Sequence, residues 1–507
     1  MAEDILIRGV NWIGDAVMTM PAIRALRKAY PESKISLLVK PSVSPIFEID
    51  PNINEVILYE ESFKGILGKL RLAMRLKKRH FSKAILFQNA FDAALIAFFS
   101  GIPKRIGYNR DGRRLLLTYP IPFNGEDRGL HHIDYYLNLL SYAGINTERT
   151  DPWIYLGIEE RLAARDKLSM LKRPILGINP GATYGSAKRW LPERFAEVAN
   201  WFIKDTNGSI VIFGSAKEIE MADEIFIRIE PELRNKEHVL NLSGKTSLRE
   251  LISLISECDA FVTNDSGPMH IAYAVGTPMA AIFGSTDPKL TGPVGVGDIV
   301  VKADFECSPC FERICRNNDM KCMYAVTSDD VYLAVKSITP TKKAVFFDRD
   351  GTLCRDADYL RRWEDFEIFP EIEALKGLKD KGFLLIGVTN QSGIARGIID
   401  ESFAKDVNQV FIDKYGFDDF YFCPHHPDEN CSCRKPEPGM LLSARADHMI
   451  NLKESYVVGD KDADMFLAKA VGAKGIFVKT GKQQGSDYAD HTVSNLKEAV
   501  KLIENYG

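Results

Sequence analysis

Two aspartates two residues apart, Asp348 and Asp350, stand directly after the apolar run 344–347 and before Gly351, Thr352 and Leu353. At the carboxyl end of a strand in an open α/β sheet, such a pair faces the crevice where ligands bind. One carboxylate can attack an electrophile while the other moves protons. A second apolar run, 456–459, ends on Asp460, so Asp348 and Asp460 could share a divalent cation. All-oxygen ligation suits magnesium, which offsets the charge of a phosphate that carboxylates alone would repel. Between them, residues 384–388 run into Thr389, Asn390, Gln391 and Ser392, whose hydroxyls and amides can hold phosphate oxygens, and Arg434 and Lys435 add cations. A lone Asp-x-Asp is commonly an acidic turn capping a helix. Four such elements in order point to phosphoryl chemistry.

Two further constellations could do chemistry. Cys423-x-His425 is followed by Cys431-x-Cys433, with His426 beside the first histidine. Three thiols and an imidazole within eleven residues fit a closed tetrahedral zinc site that stiffens a loop without its own core; the alternative is unligated cysteines in a loop. Nearer the amino terminus, residues 8–17 place Gly9 and Gly14 between a strand and a helix, with Asp15 at or near the helix start. An acid there is commonly a cap. Residues 179–182 close another strand and Lys188 follows, a pairing of backbone amides with a cation that suits a diphosphate. A further strand runs into Asp265, Ser266, Gly267, Met269 and His270, and residues 282–288 repeat the pattern.

The elements that must position these groups follow a βαβ rhythm, hence an α/β fold with parallel sheets. Strands are expected at 5–7 and 35–39, with a helix over 15–30 between them. The rhythm restarts at 174–178, after a polar stretch at 158–173, and again at 344–347, after 337–343. These restarts divide the chain into domains 1–170, 171–338 and 342–507, which matches the roughly three domains that 507 residues suggest. With 45% hydrophobic and 26% charged residues and a net charge of −4, nucleic acid is not the expected partner. The start lacks a signal-peptide pattern, and no apolar run is long enough to cross a bilayer. The expected location is cytoplasmic. Nine cysteines, clustered late, suit a reducing compartment and metal binding more than disulfides.

Residues 342–507 resemble the haloacid dehalogenase superfamily of phosphatases. The resemblance implies that Asp348 is the nucleophile that forms an aspartyl-phosphate and Asp350 the general acid and base. It further implies that Thr389 and Lys435 steady the phosphoryl group, with magnesium on Asp348, the backbone carbonyl of Asp350, and Asp460. The run CPHHPDENCSCRKPEPGM is similar to D,D-heptose 1,7-bisphosphate phosphatases. It implies structural zinc on Cys423, His425, Cys431 and Cys433, substrate reading by Arg434, and a sugar pocket lined by Asp356 and Tyr359. Histidinol-phosphate phosphatases carry a similar loop, so these motifs alone leave the substrate open.

The stretches 9–31, 179–195 and 261–288 resemble lipopolysaccharide heptosyltransferases of glycosyltransferase family nine, nearest the heptosyltransferase II group, over about 4–335. The resemblance implies a GT-B pair of Rossmann-like domains ahead of the haloacid dehalogenase-like Rossmannoid domain. It implies inverting transfer of heptose from ADP-heptose to a lipopolysaccharide inner-core acceptor, with no metal. Asp15 would be the general base, Lys188 would neutralise the leaving diphosphate, and Asp265, Ser266, Gly267, Met269 and His270 would form the nucleotide-sugar loop. The heptose context favours a heptose bisphosphate over histidinol phosphate in the last domain. A lipid-linked acceptor implies peripheral contact at the inner face of the inner membrane. Residues 64–79 read as a basic amphipathic helix suited to an anionic surface, or as a plain solvated face. Arg105, Arg110, Arg113 and Arg114 crowd one stretch, as a phosphorylated acceptor would require. Cys307, Cys310, Cys315 and Cys322 have near-metal spacing and are expected to be structural.

Overall fold

The computed structural model describes residues 3–295 and 297–506. It contains three six-stranded sheets, and every strand pair is parallel. In each, the first strand in sequence lies between the second and the fourth. Asp4–Arg8 sits between Lys34–Val39 and Lys83–Leu86. Ile175–Asn179 sits between Ser209–Ile212 and Ala260–Asn264. Ala344–Phe347 sits between Leu384–Asn390 and Tyr456–Gly459. The chain therefore reverses its direction of sheet-building beside the first strand three times over, and each reversal opens a crevice at the strands' carboxyl ends.

Helices cover both faces of such sheets, so the central strands are apolar throughout instead of alternating. Ala344–Phe347 illustrates this: Val345 and Phe347 enter one core, Ala344 and Phe346 the other. The chain divides into two compact units, one ending at Ser337 and one beginning at Ile338. The first holds two sheets, joined through a shared core that includes Val17, Met269 and Ile271. Helix Ile158–Leu168 packs on Leu248–Glu257, so the polar stretch before the second sheet already belongs to that sheet's helical layer.

The helix expected over 15–30 is two helices, Ile13–Met18 and Met20–Ala29. Pro21 has no N–H to donate back to Val17, so that ladder bond is missing and the two helices meet at Thr19.

Candidate active sites

The carboxyl-terminal site lies at the third switch point. The Asp348 N–H donates to the Val458 carbonyl (2.9 Å), which fixes the start of the loop across the crevice from Asp460. Gly351 has φ +97°, and a Cβ there would come 2.5 Å from Asp460 Oδ2. Asp460 is fully buried, yet neither carboxylate oxygen has a hydrogen-bond partner. Burial and the neighbouring charge of Asp348 push its pKa up to about 8. Ligand oxygens of Asp348, Asp460 and Asp464 lie within 4.8 Å of one another. Buried carboxylates with orphaned oxygens fit a hard divalent cation.

Lys435 ties the site together. Its Nζ donates to Asp348 Oδ1 (2.7 Å), Asp464 Oδ1 (2.6 Å) and the Val388 carbonyl (3.1 Å). Burial alone would strip its proton, but the two carboxylates outweigh this and raise its pKa. Asn390 holds the Lys435 backbone in both directions, accepting from its N–H (3.0 Å) and donating to its carbonyl (3.2 Å). Asn390 therefore positions Lys435 and does not point freely at a ligand. Gln391 Nε2 donates to Asp350 Oδ2 (2.8 Å) and Thr389 Oγ1 (2.9 Å). Arg349, fully buried, contacts both oxygens of Asp350 (3.2 and 3.0 Å) and Asn408 Oδ1 (2.9 Å). Burial would raise the Asp350 pKa; the Arg349 guanidinium and the Gln391 amide hold it below the usual carboxylate value.

Asp464 escaped sequence reasoning. Its signal is local: four residues after Asp460 it falls in the first turn of helix Asp462–Val471, where it faces back to the Lys461 N–H (3.2 Å). At the rim, Asp356 lies 3.4 Å from Lys461 Nζ and 4.0 Å from Lys482 Nζ. Asp358 and Tyr359 are both left-handed (φ 48° and 73°), a tight turn that leans Tyr359 on Gly393. Ser392 is half-buried beside them, and one terminal nitrogen of Arg434 is buried without a partner.

The cysteine–histidine loop closes on itself. Cys423 Sγ lies 3.6 Å from His425 Nδ1 and 3.5 Å from Cys431 Sγ; Cys433 Sγ lies 3.2 Å from His425 Nδ1 and 3.4 Å from Cys431 Sγ. Tetrahedral zinc, with bonds near 2.0–2.3 Å, requires ligand separations of about 3.5–3.8 Å. The His426 ring instead accepts from the Asp428 N–H (3.3 Å), so His425 is the histidine that faces the sulfurs. The other cysteine group behaves differently. Among the described residues, no three of Cys307, Cys310, Cys315 and Cys322 come close enough to share an ion.

In the first unit, helix Ile13–Met18 packs directly on helix Gly267–Ala274. Gly14 permits this: a Cβ there would fall 2.5 Å from His270 Cδ2. Gly9 has the same kind of reason, since its Cβ would meet Val39 Cγ1 at 2.6 Å. Both glycines serve close packing. Asp15 is not the helix cap; Trp12 holds that position and makes no side-chain capping bond. The Asp15 carboxylate is half-buried, 3.4 Å from His132 Nδ1.

Across the cleft, Lys188 pairs with Asp265, which also accepts from Thr286 Oγ1 (2.5 Å). Asn179 Nδ2 donates to Ser266 Oγ (3.3 Å), and Asn264 bridges the Trp190 N–H (3.1 Å) and the Pro180 carbonyl (2.6 Å). The loops after the two switch-point strands are thus bound to each other, and the first turn of helix Gly267–Ala274 opens beside Lys188. Met269 does not share this position: its side chain is wholly buried in the core. Glu218 was missed. Its buried carboxylate accepts from the Ser215 N–H (2.8 Å) and Oγ (2.7 Å) and occupies the space a side chain at Gly181 would need. The Ser-x-x-Glu spacing after a strand was its signal. The four-arginine cluster splits, because Arg113 is fully buried and donates to Tyr108 O (2.9 Å), Asn89 Oδ1 (3.0 Å) and Gln88 O.

Burial depresses the His270 pKa from 6.5 to about 4. The unfolded chain therefore binds a proton that the folded one refuses. Stability is full above pH 6.5 and falls as the pH drops towards 4, by roughly 3 kcal/mol for this group. Denaturant melts of His270→Gln against the parent protein check this; the variant's loss between pH 7 and 4 is expected to be smaller by about that amount.

Comparison with known proteins fits these two sites. The family model described as glycosyltransferase family 9 (heptosyltransferase) matches residues 69–321, and one described as HAD-hydrolase-like matches 432–499. Lipopolysaccharide heptosyltransferase 2 of Escherichia coli K12 is 32% identical over 300 residues, spanning 57% of this chain and 85% of that protein. The D-glycero-beta-D-manno-heptose-1,7-bisphosphate 7-phosphatase of Haemophilus ducreyi is 40% identical over 179 residues, spanning 32% of this chain and 98% of that protein. The solved structure of the E. coli ADP-heptose lipopolysaccharide heptosyltransferase II superposes with a TM-score of 0.57 at 27% identity, covering 66% of this chain and 98% of that one. With a cleft between two switch points in one unit and a carboxylate–lysine crevice in the other, the chain belongs to two enzyme families in series, the family 9 heptosyltransferases and the heptose-bisphosphate phosphatases of the haloacid dehalogenase type.

Proposed function

We propose that this chain is a bifunctional enzyme of lipopolysaccharide heptose metabolism, with heptosyl transfer in domains 1–170 and 171–338 and phosphate release in domain 342–507. The observation that carries this reading is that relatives naming the same sugar span nearly their full lengths on the two units.

In the phosphatase, Asp348 attacks the phosphorus of the 7-phosphate of D-glycero-D-manno-heptose 1,7-bisphosphate, and the bond to O7 breaks. The phosphate's negative charge offsets Arg349 and lets Asp350 carry the proton that O7 takes as it leaves. Asp350 then removes a proton from water, which attacks the aspartyl-phosphate and frees inorganic phosphate. Lys435 and Thr389 hold the phosphoryl oxygens. Magnesium on Asp348, the Asp350 carbonyl and Asp460 supplies charge neutralisation, supported by the orphaned oxygens of Asp460. Asp356, Tyr359, Asn390, Gln391, Ser392 and Arg434 surround the sugar and phosphate, directly or through Lys435.

In the transferase, Asp15 takes the proton of the acceptor hydroxyl, whose oxygen attacks the anomeric carbon of ADP-heptose with inversion. ADP departs toward Lys188 and the turn carrying Asp265, Ser266, Gly267 and His270. The acceptor is the lipopolysaccharide inner core, met at the cytoplasmic face of the inner membrane. Among the described residues no helix is long and apolar enough to cross a membrane, so contact there would be peripheral.

The test is phosphate release with magnesium from D,D-heptose 1,7-bisphosphate against histidinol phosphate, alongside transfer from ADP-heptose. Strong preference for the heptose bisphosphate is expected; preference for histidinol phosphate would detach the second unit from this reading.

Zinc on Cys423, His425, Cys431 and Cys433 is part of the same proposal, because that loop ends on Arg434 and Lys435. Metal analysis is expected to find one zinc per chain in the parent and none in Cys431→Ser/Cys433→Ser. Phosphate release should fall at least about tenfold with transfer unchanged.

A further inference from the structure

Residues 62–119 carry thirteen lysines and arginines against two acids, Asp92 and Asp111, a local charge of +11 in a chain whose total is −4. The three elements that dominate this stretch lie together on one face of the first sheet. Helix Gly65–Lys77 packs on helix Phe91–Phe99, which in turn touches the short turn Arg114–Leu116. Their inner sides share one small core of Phe63, Leu72, Leu76, Ala94, Ala97 and Leu117.

Their outer sides are not the plain solvated surface that a cationic stretch would normally present. Ile66 is 77% exposed, Leu67 79%, Met74 60% and Leu115 93%, with Phe91, Phe98 and Phe99 exposed beside them. Scattered exposed apolar residues need no explanation, but several large ones on contiguous elements do. Five of the cations among them are uncommitted. Lys69 pairs with Asp92 and Arg79 with Glu55. Arg71, Arg75, Lys77, Lys78 and Arg114 are exposed and have no acidic partner among the described residues.

We infer that this face docks on an anionic lipid bilayer. Large apolar side chains ringed by unpaired lysines and arginines match a surface whose headgroups are negative and whose interior is hydrocarbon. A second copy of this chain would bring the same positive charge against itself. Geometry agrees as well. Helices after parallel strands begin at the sheet's carboxyl edge, so Ile66, Leu67 and Phe91 lie at the edge that also carries Asp15. A lipid-linked acceptor could then keep its chains in the bilayer while its sugar reaches the cleft. The inference rests on the transferase reading for that acceptor and not for the surface itself.

The experiment is flotation of the full chain with vesicles of phosphatidylethanolamine and phosphatidylglycerol, against phosphatidylcholine alone. Leu67→Ser/Met74→Ser/Leu115→Ser and Arg71→Gln/Lys77→Gln/Lys78→Gln are compared with the parent. The parent is expected to float with the anionic vesicles. The charge variant should lose about a hundredfold in partitioning, at about fivefold per cation, and the apolar variant at least about tenfold. Both should transfer heptose to a delipidated core oligosaccharide at the parental rate, which also shows that they are folded. No flotation of the parent, or variants that float as it does, would overturn the surface. So would a concentration-dependent dimer that the apolar variant dissolves while vesicle binding persists. Failure of the parent to transfer to the soluble acceptor would instead count against the transferase reading, since flotation is scored without it.

Discussion

Asp348→Asn is expected to lower phosphate release by about 10^4-fold or more, with heptosyl transfer untouched. An amide does not attack phosphorus, and no neighbouring carboxylate can substitute. Asp460 is buried beside Gly351, Asp464 is bonded to Lys435, and Asp350 is held by Arg349 and Gln391. The variant should still fold, because asparagine retains an oxygen for the Lys435 ammonium where Asp348 Oδ1 now accepts it. Transfer is the internal control: the two activities are assigned to separate compact units, each with its own sheet system. Rates of both reactions, measured on one preparation, decide the matter. Loss of both activities in a folded protein would show that the sites are not independent.

Asp15→Ala should do the reverse, lowering transfer by about 10^2- to 10^4-fold, the range for removal of a general base. The KM for ADP-heptose should change little, since Asp15 is assigned to the acceptor hydroxyl and Lys188 to the departing diphosphate. A purely structural role makes a different forecast. An acid in the first turn of a helix stabilises it by about 0.3–1 kcal/mol, so its removal would lower the melting temperature slightly and leave kcat nearly intact. Measuring kcat and melting on the same sample separates the two. The absence of a capping bond at Asp15 already weakens the structural account.

The features legible in the amino-acid sequence are local. A strand followed by an aspartate, a glycine turn or a Cys-x-Cys pair is defined over a few residues, where backbone geometry is dictated by the chain itself. Asp348 and Asp460 were placed at strand ends from such signals, and both lie there, flanking one switch point. The Cys423–Cys433 spacing similarly brought four ligand atoms together. Locality also misled. The run after Asp15 read as one helix, although a proline stood within it, and the local sequence around Gly9 and Gly14 carried no sign that each makes room for a side chain from another element.

The contacts that give these groups their chemistry were not legible, because their partners are distant in sequence. Lys435 reaches Asp348 across 87 residues and Asp464 across 29, and Gln391 reaches Asp350 across 41. Only parallel pairing of Leu384–Asn390 and Tyr456–Gly459 with Ala344–Phe347 sets them side by side. Arg113 offered the same composition cue as Arg110 and Arg114, yet it is buried and spent on backbone carbonyls. Charge and residue type are properties of the chain; whether a charge faces a ligand, a bilayer or a buried carbonyl depends on burial, which only the packing of one element on another determines.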